Sequence, residues 1–137
     1  MTIGMTIGTT RRKMHTLLGG ALLAAGHPKA LISATTRTEA NAKALRDRGI
    51  SAMAGETAPD ANALMAGDAD LIVLGVKPYQ IVDVLTELNG EIGKNAVVIS
   101  MAAGIKLQTM ANVLSENPNI IRTMPNTPAL VGKGAVI

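Results

Sequence analysis

Cysteine, phenylalanine and tryptophan are all missing from this sequence, and Tyr79 is its single aromatic residue. Without cysteine there is no disulfide framework, no thiolate metal site and no cysteine nucleophile. Histidine is scarce as well: His15 and His27 have neither metal-ligand spacing nor a serine or acid in a triad-like pattern. The acids are scattered, so no carboxylate pair stands ready for hydrolysis. The missing aromatics argue against a single-stranded nucleic-acid binder, because such proteins stack bases on aromatic rings, and a net charge of +3 does not replace them. No apolar run approaches the roughly 18–20 residues of a membrane span. If this chain does chemistry, a cofactor carries it.

What remains is a chain of 137 residues, 47% apolar and 17% charged, which reads as one folded domain over 1–137 with an atypical opening segment, 1–16. The core must be built from Ala, Val, Ile, Leu and Met. Past the opening, strand-like and helix-like segments alternate. ALISATT (30–36), ISAM (50–53), DLIVLGV (70–76), NAVVISM (95–101) and NIIRTM (119–124) read as strands. Between them TEANAKALRDRG, PDANALMAG, PYQIVDVLTELNG and LQTMANVLSEN read as helices, with Thr38 an N-cap and Pro78 in a first turn. DLIVLGV is apolar on both faces, as a central parallel strand must be. Such alternation predicts an α/β fold with a doubly wound, mainly parallel sheet, Rossmann-like, whose ligands lie at the carboxyl ends of the strands.

The loops at those ends are therefore informative. After the strand 30–36 come Arg37 and Thr38 with no acid before Glu39. A ribose 2′-phosphate wants an arginine there and a free ribose wants an acid, so the loop favours NADP over NAD. A solvated arginine at a helix start is the competing reading. Gly75-Val76-Lys77-Pro78 offers close backbone approach, a cation and a fixed chain direction. Ser100-Met101-Ala102-Ala103-Gly104 has small side chains that suit either a flat ring against the backbone or a tight turn. Met124-Pro125-Asn126-Thr127-Pro128 holds one amide and one hydroxyl between two prolines, a stiff polar loop of the kind that fixes donors and acceptors in a site.

DADLIVLGVKP (68–78), VVISMAAGI (97–105) and IIRTMPNTPALVGKG (120–134) together resemble the cofactor domain of Δ1-pyrroline-5-carboxylate reductases, with MPNTPALVG the most specific part. The resemblance implies NADPH as the preferred cofactor, NADH as a possible one, and a cyclic imine substrate reduced to L-proline in proline biosynthesis. It implies that Arg37 and Thr38 meet the adenosine ribose or its phosphate, and that Asn62, Val76, Lys77 and Pro78 line the adenosine–ribose side. Met101, Ala102 and Ala103 would hold the nicotinamide region, with Asn126 and Thr127 near the reacting end. No residue stands out as a general acid, which suits a family that works by positioning donor and acceptor. The family is cytoplasmic and oligomerises through a helical domain that this sequence, ending at Ile137, does not reach. The expectation is thus the cofactor-binding part of such an enzyme, incomplete or inactive alone. A non-catalytic or degenerate dinucleotide-binding fragment and a different NADP-dependent reductase are the alternatives.

The opening departs from the family. There a strand leads into a glycine-rich turn that cradles the pyrophosphate. Here Gly8 stands for the first glycine, Thr10 falls where the second belongs, and Lys13 takes the place of the small third residue. The cofactor-binding assignment of Gly8 and Thr10 therefore comes with the expectation of a degenerate phosphate loop. Arg11-Arg12 followed by LLGGALLAAG also resembles a twin-arginine export signal, but the domain needs its first helix there, and the helix is the preferred reading.

Overall fold

The computed structural model describes the backbone of residues 3–6 and the chain over 22–114 and 119–124. Among these residues the strands are β1 (Ile3–Thr6), β2 (Ile32–Thr36), β3 (Ser51–Ala54), β4 (Leu71–Leu74), β5 (Val97–Ser100) and β6 (Ile120–Arg122). The helices are α1 (Glu39–Arg46), α2 (Ala61–Ala66), α3 (Ile81–Leu88) and α4 (Leu107–Val113). Residues 22–24 are helical as well. The strands form one parallel sheet in the order β3-β2-β1-β4-β5-β6, the doubly wound arrangement, with its reversal between β1 and β4. The opening strand is present and straddles the MTIGMTIG repeat, taking Ile3-Gly4 from the first copy and Met5-Thr6 from the second. Register aligns the carboxyl ends: Thr6 lies opposite Thr35 and Leu74, Thr36 opposite Ala54, and Leu74 opposite Ser100.

Strand β4 shows why both faces of the sheet are covered. Ile72 and Leu74 join Val98, Ile81, Leu85, Leu88 and Met110 in a cluster under α3 and α4. Val73 and the half-buried Leu71 point the other way, to Ile32, Ala34, Ala42 and Leu45 under α1. Consecutive strand residues face opposite sides, so a strand buried on both must be apolar throughout. Without aromatic rings the layers approach closely: Ala34 and Ala42 are both fully buried where α1 meets the sheet. Leu22 and Leu23 pack on this same cluster, as a first helix of the domain would.

Local signals set the helix ends. Thr38 caps α1, its side chain accepting from the Asn41 amide at 3.4 Å, with Glu39 in the first turn and Lys43 and Arg46 in the last, the order that the helix dipole favours. Before α3, Pro78–Gln80 make a single 3-10 turn with proline at its start, where the missing N–H costs no hydrogen bond. Ile81, Val84, Leu85 and Leu88 then place one apolar stripe on the sheet.

Candidate functional site

Strand order and register bring the loops after β2, β4 and β5 to one edge of the sheet, on either side of β1. In the β2 loop the buried Thr36 hydroxyl donates to the Thr38 carbonyl at 2.9 Å and closes a tight turn, leaving Arg37 exposed at its tip. The nearest acid in sequence does not reach it. The Glu39 carboxylate pairs with Arg46, which also donates to the Ala52 carbonyl at 2.9 Å. Among the described residues the Arg37 guanidinium meets no carboxylate at ion-pair distance. A free guanidinium beside hydroxyl side chains is a donor set for phosphate oxygens.

The β3 loop fastens this turn from the side. The Gly55 amide donates to the Thr36 carbonyl at 2.8 Å, and the Glu56 amide donates to the Arg37 carbonyl at 3.1 Å. The Glu56 carboxylate in turn accepts from the Glu39 amide, the first of α1. Sequence reasoning did not single out Glu56. The contact spans 17 residues and depends on β3 lying beside β2, so no local pattern carries it.

Asn62, the second residue of α2, is held on two sides. The buried Thr35 hydroxyl donates to its Oδ1 at 2.7 Å, and its Nδ2 donates to Glu87 Oε2 of α3 at 2.6 Å. Counting partners among the described residues, each polar atom keeps capacity for one more, since an amide oxygen has two lone pairs and an amide nitrogen two hydrogens. The side chain is therefore fixed in orientation, not saturated.

In the β4 loop Val76 is buried in the cluster under α3, so its backbone and not its side chain is what the loop can present. Lys77 is half-buried and its amide donates to Gln80 Oε1 at 3.2 Å, while Tyr79 beyond it is 76% exposed. In the β5 loop two of the three assigned residues have engaged amides. Met101 N donates to the Leu74 carbonyl at 3.2 Å, and Ala102 N to the Ser100 hydroxyl at 3.3 Å. Ala102 is buried and Ala103 exposed, which leaves Ala103 as the residue the turn displays. Gly104 follows with φ +79°, a conformation that costs a side chain roughly 1 kcal/mol or more. The segment is a tight turn whose outer residue, Ala103, is small and exposed.

Gly8, Thr10, Asn126 and Thr127 lie outside the described residues, as does the expected degenerate loop. Within the described residues no group of three or more His, Cys, Asp or Glu could hold a metal ion, and no helix is long and apolar enough to cross a membrane. The site offers a cation, hydroxyls, a fixed amide and small residues beside backbone. Such groups can bind and orient a ligand, and the described residues among them form no acid–base pair.

Residues 13–104 match the family described as NADP oxidoreductase coenzyme F420-dependent. The pyrroline-5-carboxylate reductase of Corynebacterium melassecola is 42% identical over 121 residues, covering 85% of this chain and 43% of its own length. That of Vibrio alginolyticus is 40% identical over 114 residues, covering 82% of this chain and 40% of its own. Among solved structures, a pyrroline-5-carboxylate reductase from Coxiella burnetii matches with a TM-score of 0.85 at 29% identity, over 98% of this chain and 47% of that one. The Plasmodium falciparum pyrroline carboxylate reductase with NADP bound matches with a TM-score of 0.75 over 98% of this chain and 46% of that one; at 24% identity it speaks for the fold. The chain spans less than half the length of each of these relatives.

Proposed function

Because the chain belongs to the NADP oxidoreductase, coenzyme F420-dependent family, we propose that it is the cofactor-binding part of a pyrroline-5-carboxylate reductase. Support comes from curated relatives of that name at 40–42% identity across more than four fifths of the chain. The observation that carries the cofactor assignment is Arg37 at the carboxyl end of β2, with no carboxylate at ion-pair distance among the described residues, one strand from the point where the strand order reverses. When bound, the reduced nicotinamide supplies the hydride that turns the cyclic imine into L-proline.

The chain's own residues have positioning roles in this reading. Arg37 and Thr38 hold the adenosine ribose and its 2′-phosphate. Asn62, locked by Thr35 and Glu87, and the Val76-Lys77-Pro78 backbone line the adenosine side. Met101, Ala102 and Ala103 support the nicotinamide half, Gly8 and Thr10 the pyrophosphate, and Asn126 and Thr127 the reacting end. A dinucleotide and a cyclic imine are the partners, without nucleic acid or membrane. A cytoplasmic setting belongs to this reading, as the resemblance implies. In this reading the substrate pocket and the oligomer contacts of the enzyme lie outside the segment 1–137.

Titration with NADPH and NADH, followed by nicotinamide fluorescence, tests the proposal. NADPH should bind in the micromolar range. Arg37→Ala should weaken it by roughly ten- to a hundredfold, the worth of a charge-assisted contact, and should weaken NADH by a much smaller factor. Absence of binding by the wild-type chain at millimolar cofactor would sink the proposal.

A further inference from the structure

We infer that Glu56 supplies, from the neighbouring β3 loop, the acidic group that the β2 loop itself lacks, and so moderates the preference of this site for the phosphorylated dinucleotide. The inference rests on the cofactor reading above. Three contacts bind the β3 loop to the β2 loop: Gly55 N to Thr36 O, Glu56 N to Arg37 O, and the Glu56 carboxylate to Glu39 N. They fix the Glu56 side chain at the start of α1, one residue from Thr38 and two from Arg37 along the partner loop. The other acid at hand, Glu39, is withdrawn by Arg46. Among the described residues no cation lies within ion-pair distance of Glu56, so its charge is left for whatever occupies the loop.

The two forms of the cofactor would meet this carboxylate differently. A ribose 2′-hydroxyl can donate to its second oxygen, because a carboxylate has acceptor sites beyond the one that Glu39 N fills. A 2′-phosphate is repelled by it, and the first amide of α1, a natural phosphate donor, is already taken. Arg37 acts in the opposite sense, attracting phosphate. The loop therefore holds one group that favours each form, and the selectivity is their difference. Glu56 is a specificity-determining residue in this scheme, and its local role as a clip is separable from its charge.

Glu56→Gln separates them. The glutamine oxygen still accepts from Glu39 N, while the charge is gone. The ratio of NADH to NADPH dissociation constants should rise about tenfold, with NADPH tightening and NADH weakening, and the change should shrink at high salt. Glu56→Ala, which also loses the clip, should add a loss common to both forms. A ratio unchanged in Glu56→Gln, with the wild-type chain binding both forms, overturns the inference and leaves the cofactor reading intact. Failure of the wild-type chain to bind either form removes the cofactor reading and the inference with it.

Discussion

Asn62 joins three elements through one carboxamide, and its neighbours determine what its loss would do. Thr35 is 4% exposed, and Asn62 Oδ1 is the acceptor its hydroxyl uses in the folded chain. A buried donor left unpaired costs about 1–3 kcal/mol, and Asn62→Ala should destabilise the chain by that amount in urea unfolding. Its effect on binding should differ in kind from that of Arg37. In the proposed placement Asn62 lines the adenosine side, where an amide does not distinguish a ribose hydroxyl from a phosphate, so NADPH and NADH should weaken by the same factor. A loss confined to NADPH would place Asn62 at the 2′-phosphate instead. Arg37 and Lys77 could be named as candidates from the sequence because each lies just past a strand, Arg37 directly after Thr36 and Lys77 in the short loop after Leu74, where chain position alone marks the carboxyl end. The constraint on Asn62 was not, since Thr35 and Glu87 meet it from 27 and 25 residues away.

At the scale of elements, the apolar pattern was sufficient for the alternation of strands and helices and insufficient for their ends. The stretch 78–90 reads as one helix, but the backbone divides it into a 3-10 turn at Pro78–Gln80 and α3 at Ile81–Leu88. Proline fixes the entry angle and Gln80 reaches back to the Lys77 amide, so the first turn tightens before the α-helical ladder starts. The stripe inside α3 was readable because burial follows the 3.6-residue period. Leu85 is fully buried against the sheet and Val82 is 42% exposed on the same helix. Leu85→Ala should cost about 2–5 kcal/mol, the range for a buried leucine whose cavity closes only in part. Val82→Ala should stay within about 0.5 kcal/mol. Similar losses at both positions in urea titrations would mean that α3 packs on its other side. Strand order was less legible than strand identity. Every strand of a doubly wound sheet is covered on both faces, so apolar character marks a strand as internal without naming its neighbours.

For the whole molecule the decisive fact is that β4 belongs to both hydrophobic clusters. Ile72 and Leu74 serve one side of the sheet, Leu71 and Val73 the other, and the backbone connecting them is a single strand. Neither layer can lose its strand without exposing the other, so the two clusters should unfold together. Ile32→Ala on the α1 side and Leu74→Ala on the α3 side, each removing a side chain no more than 1% exposed, should each cost about 2–5 kcal/mol and lower one shared transition. In the proposed reading the cofactor is an independent lever on that same transition, because the loops assigned to it hang from β2, β4 and β5 at once. NADPH at roughly a hundred times its dissociation constant should stabilise the wild-type chain and both variants by about 2.7 kcal/mol, as a ligand that binds only the folded state must. Calorimetry with and without NADPH measures this. Two resolved transitions, or a cofactor that raises only one of them, would show that the layers fold separately and that the binding edge belongs to one layer. A single transition that moves as a unit would show that the sheet transmits the occupancy of its carboxyl edge to both cores.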